Sequence, residues 1–525
     1  MHRKNNKLKI ISIHTRHDAN LSISIDGKIK LILELERIFK KRYFDSSSNE
    51  DKFKKEWQKT LDIAFQYTKK SEFDVAITNW VKDSQIKILK KLIKATRWIT
   101  CDHHLAHATL GWQDSGFNNP LILSFDGGGN DGVFNFYHIK NNEIDLIERK
   151  HLNLGAAFRI LATFMPEITH GKPQPKRGHI SLSGKIMGYS ALGNVHEEWV
   201  QPLVEYYYHY YRDPAQAIYS LSNHIIVDLK KGTTLDSTTA RDLAASSQKA
   251  LEFIVRNEIT EKLKHNNYNG IVLSGGVALN VINNTLIKET FKLPVHVPSA
   301  PNDCGISIGS IFAKFPHLKM ENITYKGLPI IENSNEKIIQ KGKTFDLSEI
   351  ANLLVKKNAI IGVARSRAEV GPRALGNRSI LCYPDVFEKK ARINSKIKFR
   401  EWYRPFAPVI KEDRCKLFFG KNIYSPYMSF AYQFTKTLQG KFPAVEHVDK
   451  TARLQTVSKL QNAWIYNLLD EIEKLTGFSI LLNTSFNTKG YPLVSDSAEA
   501  FEILKNTELT HIIVNDRLYC KDDIK

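Results

Sequence analysis

The stretch CDHHLAHATLGWQDSGFNNPLILSFDGGGNDG, residues 101–132, decides the architecture. Its first half spaces His103 and His107 four residues apart, so a helix sets both imidazoles on one face about one turn apart, within reach of one metal. Its second half is an apolar strand that stops at Asp126 and passes into Gly127, Gly128 and Gly129. Such a strand end presents a carboxylate, and glycines there let backbone N–H groups approach a phosphate where side chains would collide. The arrangement returns in YNGIVLSGGVALN, 268–280: a strand over 270–274, the pair Gly275 and Gly276, a helix beginning near Val277, and Asn280 placed to face ribose or phosphate. Two such turns predict two half-domains that each offer strand-end loops to a cleft. APNDCGISIG, 300–309, adds Asp303 in a third loop before a glycine.

Outward from this centre, LKIISIHTRHDANLSISIDGKIKLILELERI (8–38) reads as strand, loop, strand, Asp-Gly turn and strand. Helical spacing covers 53–70 and 84–96. The polar text between 320 and 350 marks a linker. A second module follows, with a helix over 347–356, the strand AIIGVARSR, RPFAPVI, a long helix near 458–475 and FSILLNTSFN. Its mixture of strands and helices is α/β, and the order of its strands is not readable from the sequence.

At 525 residues the chain exceeds the roughly 250–300 at which one core stops growing, so two or more domains are expected. Five cysteines without a CxxC pair form neither a disulfide framework nor a zinc ribbon, and a reducing cytoplasm is the expected compartment. No apolar run approaches the roughly 20 residues that span a bilayer, so no membrane role is expected. The net charge of +20 favours polyanions, but it is spread over lysine-rich helices without aromatic interleaving. A basic surface without a nucleic-acid role is therefore expected, and phosphorylated small substrates can exploit the same field.

The mixed set His103, His107, Asp126 and Asp303 suits iron, manganese or zinc better than magnesium, which takes oxygen shells. Asp102 and His104 stand beside them as groups that orient ligands. His17, after the first strand, is of the type that moves a proton at neutral pH, and Lys185 in SLSGKIMGYSALG is a candidate phosphate contact. No GxxxxGK[ST] is present. In the second module Arg365, Arg367, Arg373, Arg378 and Arg404 cluster near turn residues, which points to a second anion site because guanidiniums hold oxyanions with paired donors. Ser485 and Asn487 end an apolar strand and can bind a nucleobase, ribose or a carbamoyl-like amide.

The ordered series HDANLSISIDGKI, DHHLAHA, FDGGGNDG, GKIMGYSALG, LSGGVALN, PNDCGISIG, AEVGPRALGNRSIL, YRPFAPV and NTSFNTKG resembles the O-carbamoyltransferases of natural-product, including antibiotic, and nodulation-factor biosynthesis, the tobramycin and cephem carbamoyltransferases among them. The resemblance covers nearly the whole chain. It implies a Kae1-like (ASKHA, actin/hexokinase-like) domain over 1–335 followed by a YrdC-like α/β domain over 350–525. It also implies two reactions: carbamoyl phosphate and Mg-ATP give carbamoyl adenylate and pyrophosphate in the second domain, and the carbamoyl group then passes to a hydroxylated small-molecule acceptor in the first. By the same resemblance His103, His107, Asp126 and Asp303 fall on the ligands of a divalent metal, Fe(II), and His17 on the residue that activates the acceptor. Gly127, Gly128, Gly129, Lys185, Gly275, Gly276 and Asn280 are then nucleotide contacts. Arg365, Arg367, Arg373, Arg378, Arg404, Ser485 and Asn487 belong to the carbamoyl phosphate and ATP region. ELERIFKKR ends in Arg42 where many relatives carry lysine, and the resemblance places Arg42 with His17 among the catalytic residues. A homodimer is left open, and two rival readings stand beside this one: threonylcarbamoyl transfer to tRNA, and nucleotide-binding regulation without turnover.

Overall fold

The computed structural model describes residues 8–524 apart from 173, 176, 177, 231 and 265. Two compact units form. The first takes the chain as far as Arg16, then Ser24–Lys28 and Ser71–Glu321; the second takes His17–Ile23, Ile29–Lys70 and the chain from Asn322 onward. Among the described residues no helix is long and apolar enough to cross a membrane.

Strands β1 (Lys9–His14), β2 (Asn20–Ile25) and β3 (Lys28–Glu34) open the chain. Asp26 and Gly27, between β2 and β3, both take positive φ, 53° and 75°, the conformation of a tight Asp-Gly turn. In the first unit β1 runs parallel to β4 (Glu72–Asn79), which runs parallel to β5 (Lys94–Cys101). The helix expected over 84–96 spans only Asp83–Leu92, because the following residues pair with β4.

A second sheet has the order β10-β9-β6-β7-β8, formed by β6 (Pro120–Phe125), β7 (Phe134–Lys140), β8 (Glu143–Lys150), β9 (Gly270–Ser274) and β10 (Val295–His296). Here β6, β7 and β8 are antiparallel, while β9 and β10 run parallel to β6. Every residue of β6 and β9 is buried, as their continuous apolar runs require of central strands. Their registers end at Ser124 against Ser274, so the two glycine turns recognised in the sequence emerge side by side. Gly275 takes φ +90°, and a Cβ there would lie 2.3 Å from the Phe125 carbonyl oxygen. Beyond it, Gly276–Leu279 is a single 3-10 turn, and the α-helix expected near Val277 begins at Val281 because Asn280 caps it, its side chain accepting from Asn283 N at 3.1 Å.

The His103–Ser115 helix packs on this sheet, with Ala108 and Trp112 against Ile122, Tyr137 and Val272. The Ile306–Lys314 helix crosses it so closely that a Cβ on Gly309 would sit 2.0 Å from the Ala106 carbonyl oxygen. That approach carries Asp303, just before the second helix, to the histidine face of the first.

The second unit is built on a seven-stranded mixed sheet, β16-β13-β17-β12-β11-β18-β19. Its members are β11 (Ile361–Ala364), β12 (Arg378–Cys382), β13 (Ala407–Lys411), β16 (Gln455–Val457), β17 (Ile480–Ser485), β18 (His511–Val514) and β19 (Arg517–Cys520); β14 (Ala431–Gln433) and β15 (Thr451–Arg453) form a separate pair. The helix over Leu347–Lys356 stands where the sequence puts it. The long helix begins at Ala463 rather than near 458, because the Asn462 side chain caps it by accepting from Ile465 N at 3.1 Å. The polar stretch taken as a linker is stitched to this unit by its backbone: Ile331 N donates to Ser495 O at 3.1 Å, and Lys343 and Leu518 exchange two bonds of 2.9 Å. Side-chain polarity there marks a solvated face and does not report how the backbone is paired.

Candidate metal centre and cationic cluster

His103 and His107 lie one turn apart at the start of their helix. Asn130 and Asp131 of the glycine-rich loop fasten that start: His103 N donates to Asn130 Oδ1 at 2.9 Å, His104 N to Asp131 Oδ1 at 2.8 Å and Leu105 N to Asp131 Oδ2 at 3.2 Å. The carboxylate of Asp131 thus occupies a helix N-terminus, where it is electrostatically favoured. Asp102 accepts from Asn130 Nδ2 at 2.9 Å. One loop therefore fixes both the histidines and Asp126.

His103, His107, Asp126 and Asp303 bring one donor atom each within 4.8 Å of one another, as ligands of a single ion would stand. His107 Nε2 is 3.2 Å from Asp126 Oδ2 and 3.3 Å from Asp303 Oδ1; His103 Nε2 is 3.8 and 3.5 Å from the same atoms. Both imidazoles and Asp303 are buried, and among the described residues no well-formed hydrogen bond satisfies either ring nitrogen of His103 or His107. Buried nitrogens left in this way are costly unless something else engages them, so the donor set fits a mixed nitrogen and oxygen metal shell. Burial opposes charge on His107, yet the neighbouring Asp126 and Asp303 outweigh it and raise its pKa to about 9. For Asp126, burial and Asp303 push upward, but the two imidazoles prevail and hold the carboxyl below its ordinary range. His104 is driven down to about 4 by burial and by repulsion from His103 and His107, and its Nδ1 lies 2.8 Å from Ser124 Oγ.

The glycines serve this geometry. Gly127 N and Gly276 N donate to the two oxygens of Asp126, at 2.5 and 3.0 Å, and Gly275 N donates to Pro301 O at 2.7 Å. A Cβ on Gly129 would lie 2.6 Å from the His104 ring, and one on Gly128 would approach only Trp80, at 4.0 Å. Asn280, besides capping its helix, exchanges amide hydrogen bonds of 2.8 and 3.2 Å with Gln248. Lys185 Nζ donates to Ile168 O at 3.4 Å. The sequence reading passed over His14, the buried last residue of β1, whose Nε2 is 3.5 Å from Asp303 Oδ2. A histidine closing an apolar strand was the available signal.

In the second unit His17 is 42% exposed, its Nδ1 3.5 Å from Asp18 Oδ2. The five arginines noted in the sequence separate into two groups. Arg365 pairs with Asp516 at 2.7 Å and lies over Trp464; Arg367 donates to the carbonyls of Gly327 and Lys30 at 2.9 and 2.8 Å; buried Arg378 donates to those of Arg365 and Ser366 at 2.6 and 3.1 Å. These three brace loops. Arg373 and Arg404 instead join Arg42, Lys398, Arg400 and Arg453 in a cluster of cations. Burial, followed by Arg404 and Arg42, lowers Arg373 to about 10. Burial and neighbouring guanidiniums likewise hold Lys398, Arg400 and Arg453 well below their ordinary values. Glu401 stands 3.4 Å from Arg404, and Glu36 feels Arg42, but neither the Arg373 nor the Arg453 guanidinium has an ion pair or hydrogen bond among the described residues.

Ser485 and Asn487 receive the buried Lys398 ammonium, which donates to Ser485 O at 2.6 Å, to Ser485 Oγ at 2.8 Å and to Asn487 Oδ1. Glu369 Oε1 accepts from Leu375 N, Asn377 N and Arg378 N at 2.6, 3.3 and 3.2 Å and so shapes the loop that carries Arg373. The sequence reading did not single out Lys398, Arg400 or Arg453, although Arg400 opens the REWYRPFAPVI run.

An uncharacterized protein of Methanocaldococcus jannaschii is 27% identical over 98% of this chain and 99% of its own length. Nodulation protein U of Sinorhizobium fredii is 30% identical over 81% of this chain and 78% of its own. The crystal structure of full-length HypF in the phosphate- and nucleotide-bound form superposes with a TM-score of 0.37 and 14% identity, covering 61% of this chain and 48% of that one. The carbamoyltransferase C-terminus family matches residues 351–521 and the carbamoyltransferase N-terminus family residues 16–312, and with more than half of its length inside the latter the chain belongs to the carbamoyltransferases.

Proposed function

We propose that this carbamoyltransferase is ATP-dependent and carbamoylates a hydroxyl group of a small molecule. The observation that carries the reading is the cationic cluster of the second unit, where Arg373 and Arg453 have no anionic partner among the described residues. Uncompensated guanidiniums are maintained at a stability cost, which a multiply charged substrate offsets on binding. Carbamoyl phosphate and the ATP phosphates have the required charge. In this reading the 350–525 region, with Arg42, turns carbamoyl phosphate, Mg-ATP and water into carbamoyl adenylate, pyrophosphate and phosphate. The 1–335 region passes the carbamoyl group to the acceptor oxygen, AMP leaves, and the hydroxyl proton goes to His17. Adenylation supplies the leaving group that a resonance-stabilised carbamate lacks.

In the first unit His103, His107, Asp126 and Asp303 would hold a divalent metal, Fe(II) by the family resemblance. When bound, it supplies Lewis-acid stabilisation of charge developing on phosphate. Gly127 N and Gly276 N are spent on orienting Asp126, so Gly128, Gly129 and Lys185 remain as the contacts proposed for nucleotide phosphate. The reading includes a cytoplasmic location. The test is incubation with carbamoyl phosphate, ATP and hydroxylated metabolites, following pyrophosphate release and a carbamoyl mass addition. Pyrophosphate release that does not depend on carbamoyl phosphate would reject it.

A further inference from the structure

Asp303 faces three imidazoles. Its Oδ1 faces His107 Nε2 at 3.3 Å and His103 Nε2 at 3.5 Å, on the side of the four-residue cluster. Its Oδ2 faces His14 Nε2 at 3.5 Å. His14 is fully buried at the carboxyl end of β1, in register with Asn79 of β4, and Asn79 Nδ2 donates to Cys101 O at 2.8 Å. Its ring centroid is 6.1 Å from that of His103, whereas those of His103 and His107 are 4.7 Å apart, and His14 is not one of the four residues whose donor atoms gather.

A carboxylate that can rotate is able to chelate an ion through both oxygens. One whose second oxygen is engaged offers a single oxygen with a fixed lone-pair direction, and such partners of ligating groups govern both affinity and geometry. We infer that His14 is a positioning residue for metal binding: its Nε2, 3.5 Å from Asp303 Oδ2, is placed to draw an N–H onto that oxygen when a metal engages Oδ1, so that Oδ1 is presented as a single-oxygen ligand. The inference rests on the reading of His103, His107, Asp126 and Asp303 as a metal site.

The test uses the full chain stripped of metal and titrated with Co(II) or Zn(II) against a chromophoric chelator, with the Co(II) visible spectrum as the geometric readout. His14→Ala and His14→Leu both remove the donor, and either suffices if the other fails to fold. Each is expected to weaken binding about 10–100-fold and to alter the Co(II) bands, while His14→Gln, whose amide N–H can replace the imidazole donor, retains affinity within about threefold and keeps the wild-type bands. Wild-type affinity and spectrum in all three variants would overturn the role of His14 alone. So would a His14→Gln protein as weak as His14→Ala, since the donor would then not be what matters. A wild-type chain that binds neither metal would remove the metal site itself, and this inference with it.

Discussion

The first unit gathers two imidazoles and two carboxylates, whereas the second gathers six cations with only partial compensation. Both are ligand-shaped, but in opposite senses. In the first, opposite charges draw together and His107 is held protonated by its neighbours, so a cation entering must displace a proton. In the second, like charges are forced together and each lowers the proton affinity of the next, so an anion entering displaces nothing and relieves repulsion. Charge balance within a cluster therefore tells which sign of partner completes it.

The largest effect is expected from breaking the first cluster. His107→Ala should abolish stoichiometric metal binding, measured by elemental analysis after dialysis, and should suppress acceptor carbamoylation while pyrophosphate release persists. Equal loss of both half-reactions would erase the division between the two regions. His17→Asn should leave metal content and pyrophosphate release intact and lower transfer by ~10²–10⁴-fold, the range of a lost general base. A wild-type transfer rate at saturating acceptor would show that another group takes the hydroxyl proton.

In the second cluster Arg373→Ala removes a guanidinium without an ion pair or hydrogen bond among the described residues. Losing one charge-assisted contact to phosphate should cost roughly 2–4 kcal/mol, or about 30–1000-fold in carbamoyl-phosphate-dependent pyrophosphate release. Arg365→Ala is the sharpening control. Arg365 is already paired with Asp516, so its loss should change the same rate by less than about threefold, as expected of a partly exposed pair. Comparable losses in both variants would mean that the separation into bracing and substrate-facing arginines is mistaken.

The gathering of His103, His107, Asp126 and Asp303 was legible because its signals are local. Spacing by one helical turn, an acid closing an apolar strand and an acid before a glycine each announce a position, and β6 and β9 pair in the register that brings the turns together. The cationic cluster was legible only in part. GPRALGNRS supplies both Arg373 and Arg378, five residues apart, yet β12 buries Arg378 among carbonyls while Arg373 precedes the strand. Which arginine is spent on the fold is decided by long-range pairing that composition does not encode. Lys398 and Arg453 come from segments with no motif of their own, and His14 belongs to a strand that reads simply as apolar core. The linker failed for a related reason, because polar side chains reveal solvent exposure while backbone pairing passes unseen.

The smallest expected effect follows from the proton on His107. In the metal-free chain its pKa is about 9, above the ordinary 6.5, because Asp126 and Asp303 outweigh burial. The folded state therefore binds more protons than the unfolded state between these values. The stabilisation this gives is complete below about 6.5 and fades as pH rises through about 9, so the metal-free thermal midpoint should decline across that interval. A metal ligand must be neutral imidazole, which means that the proton leaves as the ion enters. Apparent metal affinity should then rise about tenfold per pH unit from 7 to 8 and level off above about 9, with His104, held near 4, contributing no proton in this range. Calorimetry in buffers of differing ionisation enthalpy should find close to one proton released per ion at neutral pH. The cationic cluster supplies the contrast, since phosphate or carbamoyl phosphate binding there requires no proton to leave and should show no comparable slope. A flat pH profile for metal binding would mean that His107 is already neutral in the metal-free chain, and the two regions would then not differ in the way their charges imply.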